Sequence, residues 1–401
     1  METFARILQR NTIRRGKKNS GFVQLFISKR LIQGAAAALV AIFVPIFLYQ
    51  TAREQFYIVG LYYALLSFLY VVLLVPGMHL TNLIGFSRAL IIGGVFSVLQ
   101  YAVMYFMNAD NLYTLLIPFT IAVVGFRIFH WVPYHVDFTL FTDKGERARV
   151  VSLSFATIAF MGVIGPILAG FIIKHAGYEA LFLVTVVLLA AATVSYTLVP
   201  STDVHFDWTY LHTLKELFSQ DRRGVVMGEF ANGAEVAITL IVWPIFLFEV
   251  LAGDVFSIGA VSTVVVALTI VIQLLVGRYL DKRKGNNEKT LRVGSTLYAV
   301  GWIFKIFVLS TAQIFFVGLY HNIVKIFTKT PFSAILYDMS AEQGKYVDEF
   351  TVLREMSGHS GRAVGLVVVS GLSLVVPIGW TFILAAVASL ALNMVYRYQR
   401  S

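Results

Sequence analysis

Residues 363–396, AVGLVVVSGLSLVVPIGWTFILAAVASLALNMVY, run for 34 positions without one charged side chain. As a single helix the run would be about 51 Å long, at about 1.5 Å per residue. A bilayer's hydrocarbon core is only about 30 Å thick, which about 20 helical residues span. The run is therefore too long for one crossing, and Pro377 and Gly379 supply the turn that divides it into two.

The same ruler, moved toward the N-terminus, finds further runs. They are Leu31–Ala52, Phe56–Leu80, Ala89–Met107, Asn111–Val136 (broken only by Arg127 and His130 and by His135 near its end), Val150–Ile173 and Ala180–Thr202. A polar stretch at 203–223 interrupts the pattern. Beyond it come Gly224–Phe248 with Glu229 and Glu235 inside, Val255–Gly277, Val293–Leu309 with Lys305, and Thr311–Tyr337 with His321, Lys325 and Lys329. The expectation is an all-α membrane protein of twelve transmembrane helices. Residues 1–200 form one six-helix bundle with a basic tail, 201–222 a linker, and 223–401 a second bundle. Alternation with period two, which a barrel needs, is absent. Residues 208–219 read either as an amphipathic helix on the inner surface or as a solvated linker.

Composition agrees with lipid as the solvent. Hydrophobic residues make up 58% and charged residues 13% of the 401, against roughly 25% charged in soluble domains. The net charge of +10 is explained by topology. With the N-terminus inside, the inner segments hold 25 Lys and Arg and the outer loops only Arg53 and Lys174, which predicts both termini in the cytoplasm. Nucleic acid is thereby excluded as the reason for the basic charge. Cysteine is absent, which removes disulfides, cysteine-ligated metals and thiol catalysis. No cofactor is expected, and His130 and His321 lack companions at metal-ligand spacing.

The ionisable residues inside the apolar runs are the candidate site, because each costs about 2.5–3.5 kcal/mol at membrane depth. Arg127, His130, Tyr134 and Asp137 share one helix face by spacing. Glu229, Asn232 and Glu235 recur every third residue, His321, Lys325 and Lys329 every fourth, and Glu355, His359 and Arg362 share a face nearer the cytoplasm. As structural alternatives, Glu229 or Glu235 neutralises Lys325, Lys329 snorkels to the headgroups, Lys305 does the same or pairs locally, and His135 merely packs.

An internal repeat is visible at an offset of 200 residues: Gly77-Met-His-Leu-Thr-Asn-Leu-Ile-Gly85 against Gly277-Arg-Tyr-Leu-Asp-Lys-Arg-Lys-Gly285. Both copies fall between the second and third helix of their half. This turn, the six-plus-six arrangement and the central linker resemble the major facilitator superfamily of secondary transporters over about residues 22–397. Gly277, Asp281, Lys282 and Gly285 follow its gating turn, with the second glycine one residue late, whereas Thr81 replaces the acid in the first copy. Asp143–Arg149 resembles the acidic–basic turn that precedes the family's fifth helix. Gly165, Pro166 and Gly170 are similar to the family's glycine–proline helix, which is commoner in exporters; close helix packing is the alternative. The resemblance implies that the first, fourth, seventh and tenth helices line a central cavity.

The function expected is secondary active transport of a small organic solute by alternating access, proton-coupled and leaning to export, with Glu229 or Glu235 as proton carrier and His130 or His321 as modulator. The alternatives are a uniporter and a transport-inactive receptor or scaffold of the same fold. An enzyme is not expected: P-loop, GxSxG and HExxH motifs are all missing. Partners would be the solute, protons and the bilayer, with the chain a monomer in a bacterial inner membrane. Substrate binding or coupling falls to Arg127, His130, Tyr134, Glu229, Asn232, Glu235, His321 and Lys325.

Overall fold

The structure is a computed structural model that describes residues 23–141, 147–200, 205–280, 287–342 and 347–397. Among these residues it is helical, without strands. The helices are α1 (Val23–Thr51), α2 (Phe56–Ile84), α3 (Phe86–Tyr105), α4 (Leu112–Phe141), α5 (147–176), α6 (178–196), α7 (Tyr210–Leu217), α8 (Arg223–Val250), α9 (Val255–Leu280), α10 (Asn287–Ile306), α11 (Thr311–Glu342), α12 (Val347–Leu372) and α13 (Ile378–Tyr396). By length and hydropathy alone, 8 helical segments are long and apolar enough to cross a membrane. One of them, Ala159–Tyr196, has 38 residues and contains the α5–α6 break. Gly177 makes that break, at φ 80°; a side chain there would be strained, which is why the chain turns at a glycine.

The long helices run back and forth between two ends. One end carries α7 and is called here the linker end; the other carries the short turns at 52–55 and 251–254. These two turns have the same backbone. Pro45-Ile-Phe-Leu48 and Pro244-Ile-Phe-Leu247 stand 199 residues apart and lead into them. Arg53 and Glu54 have φ 54° and 59°, and their counterparts Ala252 and Gly253 have φ 49° and 82°. Glu54 N–H donates to the Tyr49 carbonyl at 2.8 Å, and Gly253 N–H to the Phe248 carbonyl at 2.9 Å. The duplication is thus written into hydrogen bonds at the turn end as well as into the motif quoted above.

The helices before α7 meet those after it along α2–α12 and α5–α9. The approach is closest near the turn end. A Cβ on Gly170 would meet the Val255 carbonyl, one on Gly259 the Pro166 carbonyl, and one on Gly60 the Ser370 hydroxyl. Thr263 Oγ1 donates across the same seam to the Val163 carbonyl at 2.7 Å. Gly165 lies against the Ala38 backbone of α1. Small residues let backbones approach where lipid gives no hydrophobic drive to association.

At the linker end, Asn82 holds the chain leading to α7. Its Nδ2 donates to the Phe206 carbonyl at 2.8 Å and its Oδ1 accepts from Phe206 N–H at 3.0 Å. The first copy of the turn motif has lost its acid at Thr81, and here its neighbouring amide anchors the linker. Thr209 caps α7 by accepting from His212 N–H at 3.3 Å. Leu217 is buried on the bundle while Leu211 and Phe218 stay exposed.

Candidate functional site

The second set of helices is held around a chain of polar contacts. Glycines bring α12 onto α8: a Cβ on Gly233 would overlap the Gly358 carbonyl, and one on Gly361 the Phe230 carbonyl. Ser357 Oγ donates to the Val226 carbonyl at 2.5 Å on the same seam. One turn earlier on α12, Arg354 therefore reaches Glu229 at 2.7 Å. Asn232 Nδ2 donates to the other oxygen of Glu229 at 3.0 Å. Lys329 Nζ donates to Asn232 Oδ1 at 2.5 Å and pairs with Glu235 at 2.6 Å. Glu235, fully buried, also accepts from Thr239 Oγ1 at 2.6 Å and Tyr298 OH at 2.7 Å.

Two expectations are corrected here. Lys329 does not snorkel; it is the partner of Glu235, because α11 turns it inward toward α8. Lys325, read as an alternative partner for one glutamate, lies one turn away and makes neither pair. Arg354, near the start of α12, is the partner of Glu229. A signal for it existed: Arg354, Gly358, Gly361 and Gly365 share one helical stripe.

His321 and Lys305 are buried elsewhere in this set. The His321 ring packs 4.4 Å from Tyr298 and 4.6 Å from Trp302, centroid to centroid. Lys305 neither snorkels nor pairs with an acid among the described residues; its Nζ sits 4.0 Å from the ring centroids of both Trp243 and Trp302. Such contacts lower the cost of burying a cation.

In the first set, α4 is rotated relative to expectation. His130 is fully buried, stacks on Phe126 and Tyr134 and meets Tyr196 edge-on, with Gly93 of α3 against it. It and Tyr134 belong to the interior of the first set, whereas Arg127, Trp131 and His135 face the space between the two sets. His135, expected only to pack, thus lines the cavity, and His130 takes the packing role. Lys29 of α1 lies over Trp131 at 4.4 Å from its centroid. The Asp137 and Gly277 environments, Asp281, Lys282, Gly285 and the turn at 143–146 lie outside the described residues.

Between the sets is a cavity of about 380 Å³. Arg127, Trp131, Tyr63 and Tyr101 come from one side, and Glu355, His359 and Arg362 of α12 from the other. It adjoins a pocket of about 170 Å³ at Glu229, Asn232, Lys329 and Arg354, and one of about 390 Å³ along the alanine run of α1. Glu355 lies 3.8 Å from His359 Nε2 and accepts from Tyr70 OH of α2 at 3.5 Å. This is a solute-sized space bounded by ionisable groups of both sets.

Fold and site define a polytopic helical membrane protein with a charged internal cavity. Residues 30–219 match the family model of the Major Facilitator Superfamily. Solved structures agree in fold. A POT family transporter in complex with 5-aminolevulinic acid matches 95% of this chain and 95% of its own at TM-score 0.65 and 10% identity. A peptide transporter POT in complex with sulfate matches at TM-score 0.68 and 10% identity, covering 94% of this chain and 93% of its own. The human organic anion transporter MFSD10 (TETRAN) matches at TM-score 0.64 and 10% identity, covering 94% and 99%. No curated protein matches the sequence. The resemblance read from the sequence therefore holds, by family match over residues 30–219 and by fold over nearly the whole chain.

Proposed function

We propose that the chain is a secondary transporter that moves a small organic solute across its membrane by alternating access. The observation that carries this reading is the cavity lined by ionisable side chains from both sets of helices and closed toward the turn end by glycine contacts. In this reading α1–α6 and α8–α13 are two six-helix halves that rock about the cavity. The excess of Lys and Arg puts the linker end, and both termini, in the cytoplasm. A reporter fused after Gly253 then reads as outside and one after Arg283 as inside. The glycine–proline helix α5 leans the direction toward export.

Coupling to protons is assigned to Glu355 with His359. Every described partner of Glu229 and Glu235 comes from α8, α10, α11 or α12. These helices move together when the halves rock, so the glutamates keep their neighbours. Glu355 instead accepts from Tyr70 across the interface, and that partner changes with each half-cycle. A change of neighbour is what changes a carboxylate's proton affinity. The test uses purified protein in proteoliposomes. With Glu355→Gln, accumulation driven by a proton gradient is lost while solute counterflow persists. Accumulation that survives in this variant would move coupling elsewhere, and absence of counterflow in the wild type would favour the receptor reading.

A further inference from the structure

Two guanidinium groups face the central cavity, each with a buried donor that no described residue satisfies. Arg127 comes from α4 and Arg362 from α12, on opposite sides of the same 380 Å³ space. Arg127 Nη1 and Arg362 Nε are buried and have no hydrogen-bond partner among the described residues. Arg362 Nη1 makes only a 3.2 Å contact to His359 Nε2. The neighbouring cations are matched: Arg354 has Glu229, and Lys329 has Glu235. Among the described acids lining the cavity, Glu355 alone faces the two arginines, and its closest contacts are to His359 and Tyr70. The site thus carries more positive than negative charge in a place where unpaired charge is costly.

We propose that Arg127 and Arg362 form a two-sided clamp for the oxyanion group, carboxylate or phosphoryl, of a small organic anion. The assignment rests on the transporter reading and names its substrate class. Guanidinium forks match such oxyanions by planar, paired donors. The organic part of the ligand lies among Trp131, Tyr63 and Tyr101, whose rings line the rest of the cavity. Because the two arginines belong to opposite halves, the anion also draws the halves together around itself.

The first test needs no knowledge of the natural solute. An unpaired buried cation destabilises the empty protein, so Arg127→Gln and Arg362→Gln raise the melting temperature of the purified, ligand-free protein by roughly 2–4 °C. Arg354→Gln, which breaks a formed pair, lowers it. A lowered melting temperature in both cavity variants overturns the clamp by showing that the arginines are structural.

The second test uses benzoate, benzylphosphonate, benzylamine, benzyl alcohol and inorganic phosphate as thermal-shift probes. Benzoate or benzylphosphonate raises the melting temperature, and the amine and alcohol do not; comparison of the two anions identifies the head group, and phosphate alone measures the contribution of the ring. Either Arg→Gln substitution weakens the effect about tenfold, Arg→Lys weakens it less, and the exposed Arg292→Gln leaves it unchanged. Absence of any anion-specific shift, or a shift that survives both substitutions, overturns the proposal. Anion binding without counterflow leaves the clamp and removes the transport reading; counterflow of amines or neutral solutes does the reverse.

Discussion

Tyr49 at the end of α1 donates its hydroxyl hydrogen to Glu249 at the end of α8 at 2.7 Å, joining the two sets of helices at their turn end. The residues stand 200 positions apart and sit on the two copies of one duplicated turn. The bond is therefore a latch made where the repeats meet. Interhelical hydrogen bonds in membranes contribute about 1–2 kcal/mol. Tyr49→Phe should shift the closed-to-open balance at this end by about tenfold. The chain has no cysteine, so a single cysteine at Ser373, beside the latch, reports opening cleanly. Labelling by a membrane-impermeant maleimide should quicken in the Phe variant; an unchanged rate would show that the latch holds nothing.

The Glu235–Lys329 pair should behave as a buried pair whose halves cannot be removed separately. Glu235→Gln or Lys329→Gln each leaves an uncompensated charge, at a cost of about 3–5 kcal/mol. The double substitution should recover most of that loss. Melting temperatures of the four proteins in detergent measure the coupling, and additive losses would mean that the 2.6 Å contact is not energetically real.

The α8–α12 seam should be intolerant of side chains. Gly233→Ala and Gly361→Ala each place a methyl group against a backbone carbonyl that cannot swing away. Overpacking of this kind costs about 1–3 kcal/mol. Separating the helices also pulls Arg354 from Glu229, so Gly361→Ala should lower the melting temperature more than Gly371→Ala, where a methyl group meets open space. Equal effects would contradict the packing described.

Asp254 caps α9, accepting from Phe256 N–H at 3.1 Å, Ser257 N–H at 3.2 Å and Ser257 Oγ at 2.5 Å. The Ser257 hydroxyl and N–H, with Phe256 N–H and nearby Lys174 adding to them, hold its carboxyl below the usual range. A depressed folded-state pKa gives stability that is present above the ordinary carboxylate range and is lost as pH falls through the folded value. Asp254→Ala should therefore lower the melting temperature at pH 7, and the gap from wild type should narrow on acidification. A gap independent of pH would assign the cap to geometry rather than charge.

The sequence was sufficient for the all-helical class, because a charge-free run long enough to span a bilayer satisfies its own backbone hydrogen bonds in lipid as a helix. It also carried the repeat, since the Pro-Ile-Phe-Leu segments lead into the same turn in both halves. It did not carry the rotation of each helix about its axis. From Arg127, the spacing runs equally well through His130 and Tyr134 or through Trp131 and His135, and both stripes look alike in one dimension. Only the packing of α4 against Gly93 and Tyr196 decided that His130 turns inward to its own set and His135 to the cavity. The same holds for Lys325 and Lys329, one turn apart on α11, of which α8 accepts only the second. Periodicity depends on neighbours along one helix, whereas partnership depends on where other helices lie. That is why the helical class was legible in the sequence, while the pairs Glu229–Arg354 and Glu235–Lys329, and the meeting of Arg127 and Arg362 at one cavity, were decided by tertiary structure.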